Sequence, residues 1–346
     1  MSSLPDEAKL DELYLPGTHE SLALHFPLLS SICQSTSLTS QLRGGIRFLD
    51  LRFALLDDGT LWAYHGVVPQ RRRAEDVFDE VYAWLEGEGA RECVVVSCKQ
   101  ENPAPLFAPT LWSLLDRTSR WRSKWHDEDR WPALEEVRGK CVMFCRFGWD
   151  DRRGLHPPTW PNDSRAAWRT SIGGRDTVVQ DWYGLSSPLA LPRKASLALS
   201  LFDPSSSSLL PSPSPSPSDD QPPRLPHRIS FLSCASFPLL YPSLAAKGFG
   251  LPSLGLGWRG VNDLVLRGLR RLALRDARLD GESGDETVKG DGRKGRGRRY
   301  EVGQGGMVLL LDFWECPAGG AGRNGRGGQE QRSSALVEEL VRMNFA

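Results

Sequence analysis

Eight short apolar runs, each of strand length and each ending in polar or charged residues, restrict this 346-residue chain more than any other feature. In order they are Leu13–Leu15, Ile46–Leu51, Leu61–Tyr64, Cys93–Cys98, Cys141–Cys145, Thr177–Val179, Ile229–Leu232 and Met307–Leu311. Stretches with helical spacing lie between several of them. In DVFDEVYAWLEG, Val77, Phe78, Val81, Tyr82 and Leu85 share one face, and Gly87 can end the helix. Leu264, Leu266, Leu269, Leu272 and Leu274 make a looser stripe, and Leu336, Val337, Leu340 and Val341 are in register near the last residue. Strands that are apolar throughout and alternate with helices belong to a parallel sheet covered on both faces. Eight of them predict an α/β fold, a distorted (β/α)8 barrel of the TIM type. One link breaks the pattern. Phe53–Thr60 is too short for a crossover helix. Either a compact extended return around Asp57-Asp58-Gly59 or a wrong strand assignment is expected there, and so an imperfect barrel.

Three segments lack core composition: 203–226 is Ser/Pro-rich, 280–304 is Gly and charge, and 317–332 is Gly/Arg/Gln. None can bury enough apolar surface to offset the entropy of ordering, so they read as disordered insertions in a single barrel spanning 1–346. The basic run Arg293 to Arg299 reads as a solvated loop. Lys+Arg equals Asp+Glu at 43 each, which removes any global electrostatic argument for nucleic acid or anionic lipid. No stretch reaches the ~18 apolar residues of a membrane span. The start, MSSLPDEAKLDELYLPG, has no basic-then-apolar leader, which favours a cytoplasmic or peripheral membrane location; secretion stays open. Seven cysteines without a CxxC pair read as reduced, mostly buried thiols.

Barrel active sites sit at the C-terminal ends of the strands. The runs end in Gly17-Thr18-His19-Glu20-Ser21, Asp50-Leu51-Arg52, His65-Gly66, Lys99-Gln100-Glu101, Arg146-Phe147-Gly148, Gln180-Asp181-Trp182-Tyr183, the quieter Ser233-Cys234-Ala235-Ser236, and Asp312. If the barrel forms, these groups converge on one mouth.

The strings that carry them, LPGTHES, QLRGGIRFLDLR, AYHG and VVVSCKQEN, followed by GKCVMFCRFG, TWPNDS, VVQDWYGL, ISFLSCASF and MVLLLDF, keep one order. From about residue 10 to 346 the chain resembles the X region of bacterial-type phosphatidylinositol-specific phospholipases C. The resemblance implies a metal-independent phosphodiesterase that cleaves phosphatidylinositol, or the glycan-linked inositol lipid of protein anchors, to diacylglycerol and a cyclic inositol phosphate. It makes His19 the general base, oriented by Asp312, and His65 the general acid, with the Glu20 carboxylate holding its ring. Arg52 would face a non-bridging phosphate oxygen, with Asp50 beside it to orient it as part of the substrate-binding shell. Lys99, Arg146, Asp181 and Tyr183 would bind inositol, Tyr183 by stacking, and Trp160 would lie close by. No cofactor or metal is implied. The partner would be a phosphatidylinositol-type lipid, met at a membrane surface by a monomer.

Physical chemistry agrees with those roles. Attack of a neighbouring hydroxyl on phosphorus needs a base and an acid that work near neutral pH. Histidine, with an ordinary pKa of about 6.5, suits both, each worth ~10²–10⁴-fold. A carboxylate on the far ring nitrogen fixes the tautomer, and a guanidinium offers phosphate a permanent bidentate fork. Calcium would need several oxygen ligands where Arg52 stands, an acid in calcium-dependent relatives. Glu20 departs from the family's usual aspartate. Trp182 is bulky enough to narrow substrate choice. Trp62, Trp149 and Trp314 are as suited to packing as to dipping into a bilayer, and His25, His126, His156 and His227 lack chemical company. Two alternatives remain: a catalytically weak or inactive inositol-lipid-binding scaffold, and a glycerophosphodiester phosphodiesterase.

Overall fold

The computed structural model describes residues 1–25, 29–148, 153–202, 225–282, 305–318 and 334–345. Of the three low-complexity segments, all but 225–226, 280–282 and 317–318 lie outside the described residues, as do Trp149 and the run Arg293 to Arg299.

The strands are β1 (Tyr14–Thr18), β2 (Phe48–Leu55), β3 (Leu61–His65), β4 (Val68–Arg73), β5 (Cys93–Gln100), β6 (Trp125–His126), β7 (Lys140–Arg146), β8 (Trp168–Ile172), β9 (Arg175–Gln180), β10 (His227–Phe231), β11 (Gly248–Leu251), β12 (Leu256–Arg259) and β13 (Met307–Leu311). Along the main sheet they run β6-β7-β5-β2-β1-β13-β10-β9-β8. From β7 to β9 every neighbour is parallel, which gives seven long parallel strands. First and last strands pair directly, Tyr14 with Met307 through to Thr18 with Leu311. Among the described residues no ladder joins β7 to β9, so the barrel curls without closing on that side.

The third apolar run is the departure from eightfold regularity. It forms β3, antiparallel to β2 through Phe53–Ala63 and Leu55–Leu61. The connection is the compact extended return: Leu56 N–H donates to Thr60 O at 2.9 Å, and Gly59 takes a φ of 79°. A short link permits only this antiparallel pairing.

Period two explains why the parallel strands are apolar throughout. Leu15, Phe48, Val95, Val142, Phe144, Val179, Ile229, Val308 and Leu310 pack together inside the curled sheet. Their neighbours in sequence, Leu49, Val94, Val96, Met143, Val178, Leu309 and Leu311 among them, pack outward against helices. Gly17 sits in the interior set because a Cβ there would lie 3.0 Å from Phe48 Cβ and 3.2 Å from Leu310 Cγ.

The helices are α1 (Leu38–Arg43), α2 (Ala74–Glu86), α3 (Phe107–Leu115), α4 (Ser119–Arg122), α5 (Leu134–Val137), α6 (Leu191–Ser200), α7 (Pro242–Lys247), α8 (Val261–Glu282) and α9 (Ala335–Arg342). In α2 the five residues of the predicted stripe are buried, and Gly87 follows the last turn. In α8 the stripe shifts. Val265, Leu266 and Leu269 are buried, while Leu274 is 62% exposed, beyond the reach of the core. In α9, Leu336, Val337 and Leu340 are buried and Val341 faces out. None of the seven cysteines is in a disulfide, and six of them are buried. No helix of the described residues is long and apolar enough to cross a membrane.

Candidate active site

The interior positions of the strands continue, two residues at a time, into chemistry. Leu15 and Gly17 lead to His19, Phe48 and Asp50 to Arg52, Val95 and Ser97 to Lys99, and Val142 and Phe144 to Arg146. Val179 leads to Asp181, and Val308 and Leu310 to Asp312. Register holds Arg52, Lys99 and Arg146 side by side across β2, β5 and β7. Above this floor opens a cavity of about 660 Å³, and ten of the eleven predicted site residues line it. The exception is Asp50. Expected in the substrate shell, it is fully buried beneath Arg52 and Arg146, because it lies one step deeper in the same interior row.

His19 Nδ1 lies 2.8 Å from Asp312 Oδ1, and the His19 amide donates to Leu311 O at 3.0 Å. The neutral ring satisfies this contact with Nδ1–H as donor, which leaves the lone pair on Nε2. Gln34 fastens the two strand ends together: its Nε2 donates to His19 O and to Leu311 O, both at 2.8 Å. Glu20 adopts φ 46° and Phe313 the same value, so the chain turns sharply just after His19 and just after Asp312. Non-glycine residues hold such angles at a cost of roughly 1–3 kcal/mol when their surroundings over-determine them. Here the Glu20 amide donates to Asp50 Oδ2, and the Phe313 amide to Cys33 O.

Arg52 carries the densest charge contacts. It meets Glu20 Oε1 at 2.6 Å, Asp50 Oδ2 at 2.9 Å and Glu101 Oε1 at 3.3 Å. Burial opposes its charge, but Asp50, Glu20 and Glu101 outweigh that and raise its pKa further. Asp50 mirrors it. Burial would raise its pKa, yet Arg52 and Arg146 bring it well below the usual carboxylate range. Glu101 is lowered in the same way, against burial, by Arg52 and Lys99. The guanidinium is therefore a permanent, oriented cation on the cavity wall.

Glu20 was expected to hold the His65 ring. Its Oε1 is 3.7 Å from His65 Nε2, longer than a hydrogen bond, and its tighter partner is Arg52. The longer side chain, compared with aspartate, carries the carboxylate onto the guanidinium. His65 Nδ1 faces Cys33 Sγ at 3.9 Å.

The opposite wall is aromatic and ionic. The Arg146 guanidinium lies 4.2 Å from the Trp160 ring centroid and 3.4 Å from Asp50 Oδ1. Trp160 Nε1 donates to Asp181 Oδ2 at 2.9 Å, so the tryptophan both stacks and positions a carboxylate. Tyr183 is 41% exposed and its hydroxyl donates to Asn162 Oδ1 at 2.9 Å, while Asp163 Oδ1 accepts from its backbone amide. Lys99 Nζ contacts Glu101 Oε1 at 2.8 Å.

Five of these residues had no assigned role in sequence reasoning. Glu101 was visible at a strand end. Asn162 and Asp163 sat in the TWPNDS string. Cys33 and Gln34 lie in a loop without periodicity, and no local signal marks them. Ligand-type atoms of His19, Cys33 and Asp312 fall within 4.8 Å of one another, a group that could hold a metal ion. His25, His126, His156 and His227 do not line the cavity. Trp314, a candidate bilayer contact, is buried, its Nε1 donating to Thr36 Oγ1 at 2.7 Å.

A curled parallel barrel that brings two histidines, a carboxylate partner and a fixed guanidinium to its strand ends is suited to acid–base chemistry on an anionic ester. No family model matches the chain. A 1-phosphatidylinositol phosphodiesterase of Staphylococcus aureus (strain Newman) is 24% identical over 201 residues, covering 53% of this chain and 63% of the relative. That of Listeria monocytogenes is 26% identical over 154 residues, covering 42% and 47%. The chain thus matches less than two thirds of these relatives' length. The solved phosphatidylinositol-specific phospholipase C of Staphylococcus aureus superposes with a TM-score of 0.60 at 18% identity, over 99% of this chain and 96% of that one. The Listeria monocytogenes enzyme superposes with 0.57 at 18%, over 99% and 97%, so the fold is shared. In sequence the chain is similar to bacterial 1-phosphatidylinositol phosphodiesterases, and it shares the fold of bacterial phosphatidylinositol-specific phospholipases C.

Proposed function

We propose that this protein is a metal-independent phospholipase C that cleaves phosphatidylinositol, or the related anchor glycolipid, by histidine acid–base catalysis. The observation that carries the reading is the His19–Asp312 pair facing the same cavity as His65 and Arg52. His19 Nε2 accepts the proton of the inositol 2-hydroxyl while Asp312 steadies the imidazolium that forms. The freed oxygen attacks the neighbouring phosphorus. The glycerol oxygen leaves with a proton from His65, giving diacylglycerol and a cyclic inositol phosphate. Arg52 offers its fork to a non-bridging oxygen as negative charge grows. Lys99, Arg146 and Asp181 serve as hydrogen-bonding partners of the inositol hydroxyls, and Tyr183 as the ring's platform.

An apolar rim supports a lipid substrate. Phe237, 60% exposed, lines the cavity, Leu239 beside it is 66% exposed, and Phe249, Leu251, Leu254 and Leu256 are exposed on and around the β11–β12 hairpin. Such a rim suits a monomer that touches a membrane peripherally without spanning it. A structure of the Staphylococcus aureus relative concerns modulation of that protein's membrane binding.

The test is purified protein with phosphatidylinositol in detergent micelles, with and without a chelator. A water-soluble cyclic inositol phosphate should appear at the same rate in both, and His19→Ala and His65→Ala should each lose ~10²–10⁴-fold. Calcium dependence overturns the metal-independent mechanism. An active double variant overturns the acid–base one, and binding without turnover selects a scaffold.

A further inference from the structure

Cys33 is a nucleophile-bearing side chain of the cavity wall for which the proposed reaction has no use. Its sulfur lies within 4.8 Å of ligand atoms on both His19 and Asp312, and 3.9 Å from His65 Nδ1. The thiol is not a loose surface group. The Cys33 amide donates to Ala23 O at 2.9 Å, and its carbonyl accepts from the Phe313 amide at 2.8 Å. The next residue, Gln34, is bonded to the carbonyls of His19 and Leu311. The loop therefore hangs from the same two strand ends that carry His19 and Asp312, and their separations are set by backbone.

We propose that this pocket is also an inhibitory binding site for a thiophilic divalent cation, zinc foremost, held by His19 Nδ1, an Asp312 oxygen and Cys33 Sγ. One sulfur, one imidazole nitrogen and one carboxylate oxygen make a three-ligand zinc donor set that leaves a fourth position to solvent, with bonds of about 2.0–2.3 Å. Around a tetrahedral ion those bonds put donors roughly 3.3–3.8 Å apart. The His19–Asp312 contact of 2.8 Å must open by about half an ångström, and the sulfur must approach by about one. Side-chain rotation covers both. Calcium and magnesium favour cages of oxygen ligands, which this set does not supply.

The charge balance favours a dication. Burial, then Asp312 and Glu20, hold the Cys33 thiol protonated. The same carboxylate field that disfavours a thiolate attracts a metal ion, which displaces the thiol proton to solvent. At His19 the metal needs the Nδ1 lone pair, so the ring proton moves to Nε2. One proton leaves, from Cys33, and the imidazole stays neutral with its tautomer reversed. Inhibition follows from that reversal, since Nε2–H has no lone pair with which to accept the substrate's proton. The inhibitory consequence rests on His19 acting as base; the binding itself does not.

Cobalt, a coloured substitute for zinc, separates the two. Metal-stripped full-length protein titrated with cobalt should bind about one equivalent and develop a thiolate-to-cobalt charge-transfer band in the near ultraviolet, which zinc then abolishes. Cys33→Ala should lose the band. Cys33→Ser, a sterically conservative variant that serves if the alanine form folds poorly, should lose it too. In the phosphatidylinositol assay each variant should need at least ~10-fold more zinc for half-inhibition, relative to its own metal-free rate, than the unaltered protein. A missing band, or a band or zinc sensitivity that persists in the Cys33 variants, overturns the proposal. A Cys33-dependent band in a protein without phospholipase activity leaves the site standing and sinks the function instead.

Discussion

Asp312 stands 293 residues from His19 and 2.8 Å from its Nδ1. A carboxylate there does two things in the proposed reaction: it holds Nδ1–H, so the accepting lone pair faces substrate, and it steadies the imidazolium. Asp312→Asn keeps size and shape but removes the charge and can present an amide N–H to the ring, favouring the wrong tautomer. We expect kcat to fall by ~10²–10⁴-fold, with KM changed little, since a comparable change in a serine-protease triad costs about 10⁴. Steady-state rates beside a thermal melt are the check. A melt that stays near wild type with a kcat that barely moves would remove Asp312 from catalysis. Glu20 makes a related point at the same scale. Its type and position were readable, but not that one extra methylene would draw its carboxylate to Arg52 at 2.6 Å and leave His65 at 3.7 Å.

Elements explain why so much of the site could be read from sequence. In a parallel strand buried on both faces, alternate residues point inward, so a polar residue that continues the interior row to the strand's C-terminal end must face the mouth. That rule locates His19, Arg52, Lys99, Arg146, Asp181 and Asp312 from their strands alone. It specifies phase but not depth, which is why Asp50 was assigned to the substrate shell and is instead buried under two arginines. It is also silent on loops. Cys33 and Gln34 reach the site through tertiary hydrogen bonds to Ala23, His19 and Phe313, and no periodicity encodes those. The same limit explains β3: strand length and apolarity were legible, and direction was set by a link too short to cross over. Gly17 offers an element-level test. A methyl there would meet Phe48 Cβ and backbone O at 3.0 Å, at the β1–β2 contact that carries His19 past Asp50. Gly17→Ala should lower stability by about 1–3 kcal/mol, as overpacking does. Urea unfolding would measure it, and an unchanged midpoint would mean that β1 and β2 part more easily than their register suggests.

For the molecule as a whole, the two ends of the barrel carry opposite demands. The mouth gathers charges in mutual pairs; the base seals in a histidine that must stay neutral beside Arg228 and Arg175. At the start of β10, His227 is fully buried, its Nδ1 donating to Asp11 O at 3.0 Å and its ring 4.7 Å from that of Trp131. Burial, helped by Arg228 and Arg175, pulls its pKa down to about 3 against the Asp11 hydrogen bond. In the unfolded chain the same ring titrates near 6.5. Below that pH the unfolded state binds a proton that the folded state refuses. Stability is therefore full above about 6.5 and falls as pH drops toward 3, with a limiting slope of about 1.4 kcal/mol per pH unit. His126, lowered by burial, adds in the same sense. Carboxylates such as Asp50 and Glu92, held low by arginines, lose their contribution only in more acid solution, so the interval from about 6 to 4.5 isolates the histidines. Urea unfolding across that interval should show the slope in the native protein and a much shallower one in His227→Gln, whatever the variant's absolute stability. Equal slopes would mean that His227 accepts its proton in the folded state and that the base of the barrel admits water.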